Sequence, residues 1–275
     1  DGMPESVLST DGGWYGRPSG YRMSGSWKPF EFGGEVVDAA MLLSDFSSSS
    51  LEKASWTPVK IPSVKPHLAT GQMVEPVRYQ DSIHPVSAIK ISDGNYLLDF
   101  GTCMTAMLEV VFPDLRKGAE VTFDYADALD KNSQFPLSRR GDFKDVYISS
   151  GQSPERFVNH FNYHGFRYVM VSGLETAPSS AMVSADDLCK AVTAHPISTD
   201  YEDASSFCCS DPDLNAIHDM VKRTVKCLTP GGYMIDCPHI ERRGYTGDGQ
   251  LACEAAMLGI DSKKFYLKWM EDIAD

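Results

Sequence analysis

The sequence predicts a multidomain β + α protein in which β-sandwich domains precede a set of helices. Short apolar or alternating runs separated by Gly, Pro and Asp fill residues 94–196, and several short strands at that spacing argue for a β-sandwich. After about residue 205 the apolar period lengthens to that of helices. The strands are followed by helices and do not alternate with them, which argues against a parallel α/β sheet.

Residues 1–90 are rich in Gly, Pro and Ser and hold aromatic segments, Gly13-Trp14-Tyr15-Gly16 and Ser26-Trp27-Lys28-Pro29-Phe30, among turn signals. Ser47-Ser48-Ser49-Ser50 reads as a loop tip, and Ala54-Ser55-Trp56-Thr57-Pro58-Val59 as extended chain, since a residue before proline avoids the α region. This part is expected to be the end of an N-terminal β domain plus a linker. Residues 91–200 form the β-sandwich. Its strands are Tyr96–Phe100, Met107–Phe112, Glu120–Tyr125, Asp145–Ile148, Phe166–Val171 and Ala191–Ala194. From 201 to 275 the chain is helical. Ser210-Asp211-Pro212-Asp213 supplies a capping residue and a first-turn proline, and Leu214, Ile217, Val221 and Leu228 mark one face. A second helix spans about Asp248–Leu258, with Gly259 as its cap. In the third, Phe265, Trp269 and Ile273 form a stripe that ends without a Gly or Asn cap or a basic last turn, so the helix is expected to belong to a longer helical domain.

The chain has 275 residues, 42% hydrophobic and 23% charged, with a net charge of −13. An acidic surface repels phosphate backbones and suits neither nucleic acid nor anionic lipid. No apolar run has the length of a membrane span. Asp1-Gly2-Met3-Pro4 is neither an initiator Met nor a signal peptide. Seven cysteines, an odd number with no Cys-x-x-Cys, show neither a disulfide framework nor zinc spacing and read mostly as buried free thiols. No cofactor or metal site is indicated.

The densest group of ionisable residues is Asp236-Cys237-Pro238-His239-Ile240-Glu241-Arg242-Arg243-Gly244-Tyr245-Thr246-Gly247-Asp248-Gly249-Gln250. Gly244 and Gly247 allow tight turns between the acids, and Pro238 denies a helix across the first pair. Glycoside cleavage needs one protonated carboxyl to supply the leaving oxygen and a second carboxylate to activate water or attack. Neighbouring acids raise one another's pKa, and arginines oppose that. Tyr233 and Tyr245 offer rings for the apolar face of a sugar. Spacing alone leaves a second reading open: surface acids and arginines also form solvated ion pairs of little consequence, and Asp248 favours the start of the helix that follows.

The segment resembles the signature of the bacterial α-L-rhamnosidases, glycoside hydrolase family 78, which runs roughly Asp-Cys-Pro-Gln-Arg-Glu, two or three residues, then Gly-Trp-Thr-Gly-Asp-Ala-Gln. Asp236, Cys237, Pro238, Glu241, Gly244, Thr246, Gly247, Asp248 and Gln250 match it. Leu98-Asp99-Phe100-Gly101, Asp124–Leu129 with its acid Asp127, and Asn162–Val169 are similar to further marked strands of the family. The match covers roughly residues 90–275. In the last of these runs, Phe166, Arg167 and Tyr168 are expected to serve core and interdomain packing.

The resemblance implies a concanavalin-like β domain followed by the first helices of an (α/α)6 catalytic barrel. It implies an inverting release of terminal α-L-rhamnose from oligosaccharides, polysaccharides or glycosides. Glu241 matches the general acid, and Asp236 and Asp248 match acids that bind the sugar; Arg242 and Tyr245 are added as candidate substrate contacts. The general base is expected beyond residue 275, which would leave this chain alone incompetent. The substrate is a carbohydrate, no cofactor is implied, and a glycan-degrading role suits the periplasm or secretion, with the cytoplasm open. Ile240 and His239 depart from the family's Arg and Gln, Tyr245 from its Trp, and Gly249 from its Ala.

Two other readings exist. In one, the chain is a non-catalytic carbohydrate-binding β protein that uses Trp14, Tyr15, Trp27 and Trp56 as stacking surfaces; core packing explains these aromatics better. In the other, Cys237 is a nucleophile with His239 as its base, but residues two apart rarely meet in those roles.

Overall fold

The computed structural model describes residues 11–26, 32–42, 56–63, 71–132, 134–136, 143–177 and 183–275. Trp27, Ser47–Ser50, Ala54 and Ser55, named above, lie outside them. Along the described chain run β1 (Tyr15–Gly16), β2 (Tyr21–Met23), β3 (Glu35–Asp38), β4 (Thr57–Pro58), β5 (Val77–Tyr79) and β6 (Ser87–Ser92). Then come β7 (Asn95–Phe112), β8 (Glu120–Ala126), β9 (Asp145–Ile148), β10 (Glu155–Val158), β11 (His164–Ser172), α1 (Ala185–Ala191) and β12 (Val192–Thr199). The chain closes with α2 (Pro212–Leu228), α3 (Thr246–Gly259) and α4 (Lys263–Ala274).

The two runs read as separate strands, 96–100 and 107–112, join in β7. Its even-numbered residues from Tyr96 to Phe112 are buried, Thr102 excepted, the period of a strand with one face on a core. Eighteen residues drawn straight would span roughly 60 Å, far more than the width of a domain of this size, so the strand must bend. It does so around Gly101, at φ 76°, where β11 carries a register shift between Phe166 and Tyr168. β7 is flanked first by β6 and β11, then by β11 and β12, and at its end by β12 and β10.

The result is one curled sheet in the order β2-β3-β9-β8-β11-β7-β12-β5, with β6 and β10 added along β7. The curl closes over its own core, in which Phe112 stacks on Tyr147 and Phe123 on Phe157, with ring centroids 4.5 and 4.9 Å apart. Strands from residues 21–92 join this sheet, and β3 pairs with β9 in parallel. α1 was not expected. Its signal is Ser184 three residues before Asp187: the Ser184 hydroxyl accepts from the Asp187 N–H, as a helix cap does.

α2 begins where the capping pattern places it, whereas α3 begins at Thr246, ahead of the expected Asp248, with no side-chain cap bond. Gly259, expected as the cap of α3, is its last helical residue, with Ile260 in the cap position. Asp211 accepts from the N–H groups of Asp213 and Leu214 at the start of α2. A second cluster joins them: Val74, Tyr201, Val225, Met234, Ala256, Ile260, Phe265 and Trp269. The face expected of α2 is not its buried one. Leu214 and Ile217 are exposed, Leu228 is partly buried, and Val225 is the buried residue of the helix. In α4, Phe265 and Trp269 are buried but Ile273 is exposed. Two further expectations change: Trp14 and Tyr15 stand exposed and are not packed in a core, and of the seven cysteines two are exposed and five half-buried. Among the described residues, no helix is long and apolar enough to cross a membrane.

Candidate active site

The acidic segment is a closed loop between α2 and α3. Asp236 ties its ends together: its N–H donates to the Arg243 carbonyl, and its Oδ1 accepts from the Arg243 N–H, both at 2.8 Å. Inside the loop, the Cys237 thiol donates to Asp236 Oδ2 at 3.1 Å and accepts from the Glu241 N–H at 3.3 Å. The Arg242 N–H reaches the Cys237 carbonyl. Gly244 admits the Tyr233 ring, since a Cβ there would lie 2.8 Å from Tyr233 Cδ2.

Glu241 is half-buried, and its Oε2 accepts from the Tyr245 hydroxyl at 3.0 Å. That bond holds the tyrosine's pKa above its usual value. Tyr245 itself is extended and caps α3, and Asp248 stands exposed in the first turn of that helix, where an anion is favoured. Asp236, Glu241 and Tyr245 thus share one hydrogen-bonded loop, with Asp248 on the helix that Tyr245 caps.

Arg242 goes elsewhere. It is 5% exposed, and its Nη1 donates to Asn162 Oδ1 at 2.6 Å while its Nε donates to the Pro238 carbonyl at 2.9 Å. The guanidinium lies 4.3 Å from the Tyr163 ring centroid and 4.7 Å from that of Phe32. Burial pulls its pKa down. The expectation of a substrate contact therefore gives way to an anchor: the side chain is spent on the β region.

The β region is also the seat of the loop. A Cβ on Gly165 of β11 would come within 2.6 Å of Pro238 Cγ and 2.8 Å of the His239 nitrogen, so only glycine lets the two backbones approach this closely. Beside this contact lies a cavity of about 280 Å³ lined by Tyr125, Asp127, His164, His239 and Ile240, among others. His239 Nε2 is 3.9 Å from Asp127 Oδ2. The imidazole thus faces Asp127, and burial raises the Cys237 thiol pKa, which counts against a cysteine nucleophile, since that needs a thiolate.

Beneath the seat is a buried polar network that the sequence did not reveal. Asp145 Oδ2 accepts from the Tyr125 hydroxyl at 2.6 Å and the Asn159 amide at 2.7 Å, and lies 2.9 Å from His164 Nε2. Its Oδ1 accepts from the Glu35 N–H. Burial alone would push the Asp145 carboxyl up; the His164 imidazole and these donors outweigh it and hold the pKa below the usual carboxylate value. Of the packing residues named earlier, Phe166 is fully buried, and Arg167 forms a two-bond pair with Asp99 at 2.8 and 2.9 Å.

Residues 89–192 match the bacterial α-L-rhamnosidase concanavalin-like domain, and residues 202–275 match the bacterial α-L-rhamnosidase six-hairpin glycosidase domain. The chain belongs to the bacterial α-L-rhamnosidase family. An α-L-rhamnosidase of Formosa agariphila is 30% identical over 249 residues, 88% of this chain and 25% of that protein. The α-L-rhamnosidase structure from Dictyoglumus thermophilum superposes with a TM-score of 0.74 at 25% identity, over 90% of this chain and 28% of that one. The Streptomyces avermitilis α-L-rhamnosidase, solved in complex with L-rhamnose, shares the fold with a TM-score of 0.78 at 24% identity, over 88% of this chain and 23% of that one. The chain spans about a quarter of the length of the curated relatives it matches. Its loop of acids lies within the match to the glycosidase domain of the rhamnosidase family.

Proposed function

We propose that the protein carrying this chain is an α-L-rhamnosidase that releases terminal α-L-rhamnose from oligosaccharides, polysaccharides or glycosides. Glu241 is the general acid, Asp236 and Asp248 are sugar-binding acids, and Tyr245 orients the acid through its hydroxyl. Arg242 anchors the loop. The observation that carries this reading is the Glu241 carboxyl, bonded to Tyr245 on a loop closed by Asp236, within the segment that matches a glycosidase domain. Proton donation to the departing oxygen lowers the barrier to glycosidic cleavage. We assign the inverting course, in which a base activates water on the opposite face of the ring, and give that base to no residue of this chain.

In this reading residues 91–200 are the concanavalin-like β domain, whose sheet also takes in β2, β3, β5 and β6 from residues 21–92, and residues 201–275 open the (α/α)6 barrel. The barrel assignment draws support from apolar side chains that α2, α3 and α4 leave exposed, among them Ile217, Leu251 and Met270; further hairpins would cover them. In the intact protein, Glu241→Gln should lower kcat by about 10²–10⁴-fold while calorimetry finds L-rhamnose affinity kept. A near-normal rate sinks the assignment. Proton NMR of the first-formed product should show the β-anomer, and α-L-rhamnose appearing first would replace inversion by retention.

A further inference from the structure

We propose that Glu35 and Asn162 are positioning residues for the general acid, forming with Arg242 a buried strut that fixes where Glu241 points. The inference rests on Glu241 being the acid, as proposed above, and adds to it a requirement set some two hundred residues earlier in the chain.

The strut starts at β3. Glu35 is 1% exposed, and a carboxylate removed from water must be met by donors or a compensating charge. Its donors are three successive backbone groups. Oε1 accepts from the N–H of Phe161 at 2.7 Å and of Asn162 at 2.6 Å, and the His160 N–H lies 2.9 Å from Oε2 and 3.1 Å from Oε1. Such a cradle of N–H groups around an anion holds the 160–162 turn in one shape.

Asn162, 3% exposed, is spent at both ends of its amide. Its Nδ2 donates to the Gly33 carbonyl at 2.7 Å, and its Oδ1 accepts from Arg242 Nη1 at 2.6 Å. The turn that Glu35 holds therefore presents one oxygen to one guanidinium. The rings of Phe32 and Tyr163 confine that guanidinium, and their faces favour a cation. A buried anion and a buried cation thus stand one asparagine apart.

The far end of the strut is the backbone of the acid loop. Arg242 has φ 52°, a conformation costly for a residue with a Cβ and one that persists only where its surroundings over-determine it. Releasing the Arg242 side chain would let this backbone relax, and Glu241 is the preceding residue. The Tyr245 hydroxyl that meets the acid is itself on an exposed residue.

The test separates acid placement from folding and from substrate binding by changing the leaving group. A sugar alcohol needs the acid's proton to depart; 2,4-dinitrophenolate does not. In the intact protein, Asn162→Ala, Glu35→Gln and Arg242→Lys should each lower kcat on a rhamnosyl disaccharide by about 10²-fold, the scale of a small misplacement of a catalytic group. On 2,4-dinitrophenyl α-L-rhamnoside the loss should stay within about threefold, and KM should change little on either substrate, because only the transition-state interaction is lost. Arg242→Lys is included because lysine lacks the planar fork. Asn162→Asp keeps the oxygen that Arg242 uses and should recover about tenfold of the rate lost in Asn162→Ala, one charge-assisted bond's worth.

Equal losses on both substrates, or a full rate on the disaccharide, overturn the strut. If Glu35→Gln does not fold, the alanine and aspartate variants at Asn162 decide the matter through their ratio, and a ratio near one rejects it. Glu241→Gln is the control. If that variant stays active on the disaccharide, the reading of the acid fails; if it is dead while the strut variants are intact, only the present inference fails.

Discussion

In the β region, Glu35, Asp145, Asn159, Asn162 and His164 are each at most 3% exposed, and every one meets a partner from a distant part of the chain. Both regions leave apolar side chains in solvent, Val86 and Phe161 among those of the β region, but in the helical region they fall on all three helices. Leu251 is 89% exposed, Leu258 66% and Met270 62%. The β core gathers residues from β3, β7 through β12 and α1, whereas the helical cluster has eight buried members, one of them Val74. The contrast teaches where stability is self-contained. The β region encloses its core and gives its buried carboxylates Glu35 and Asp145 hydrogen-bond donors; the helices bury one side and leave Leu251, Leu258 and Met270 exposed. The acid loop lies on the seam between them, which is why its anchor, Arg242, points into the satisfied side.

The largest expected effect breaks the β side of this contrast. Asp145→Ala strips the acceptor shared by Tyr125, Asn159, His164 and the Glu35 N–H and should destabilise the chain by about 3–5 kcal/mol, as removal of one member of a buried charged network does. Urea unfolding measures it, and a loss under about 1 kcal/mol would mean that the network is not what holds the region. Next comes the seam. Gly165→Ala forces a Cβ against Pro238 and His239 and should cost about 1–3 kcal/mol by overpacking. Protease nicking of the 236–245 loop should rise in that variant; unchanged stability and nicking would show that the loop is not seated there.

A pH series sharpens the same comparison. The folded Asp145 pKa lies below its unfolded value, so its contribution is present above the unfolded pKa of about 3.9 and is lost as pH falls through the folded value. Acid should therefore weaken wild type more than Asp145→Asn, and parallel pH–stability curves for the two would refute the shift. The smallest effect belongs to the helices. Leu251→Gln in this 275-residue chain should change stability by less than about 0.5 kcal/mol. A larger fall would show that the side chain is already covered; a larger fall confined to the intact protein would support the barrel proposal.

Much of the candidate loop's geometry was legible because it is local. Asp236, Glu241 and Tyr245 lie within ten residues, and the bonds that join them span at most seven. The start of α2 was legible for the same reason: its cap, Asp211, acts on N–H groups two and three residues away. The union of two strand runs into β7 was not, since Gly101 reads as a turn until the pairing with β11 shows it to be a bend within a strand. The face of α2 was misread because its stripe was matched to a helical period, while burial depends on which neighbours are present. Arg242 was placed with the substrate on sequence proximity to Glu241, although adjacent side chains need not share a direction.

By itself the sequence determined where strands give way to helices and the α2 cap at Asp211, both of which rest on interactions between residues close along the chain. Only the tertiary structure decided that Glu35, Asn162 and Arg242 meet, across separations of up to 127 residues within single bonds. No local pattern encodes such a contact, because a buried charge is tolerated only where the fold brings its donors, and those donors are backbone groups whose identity the side chains do not announce.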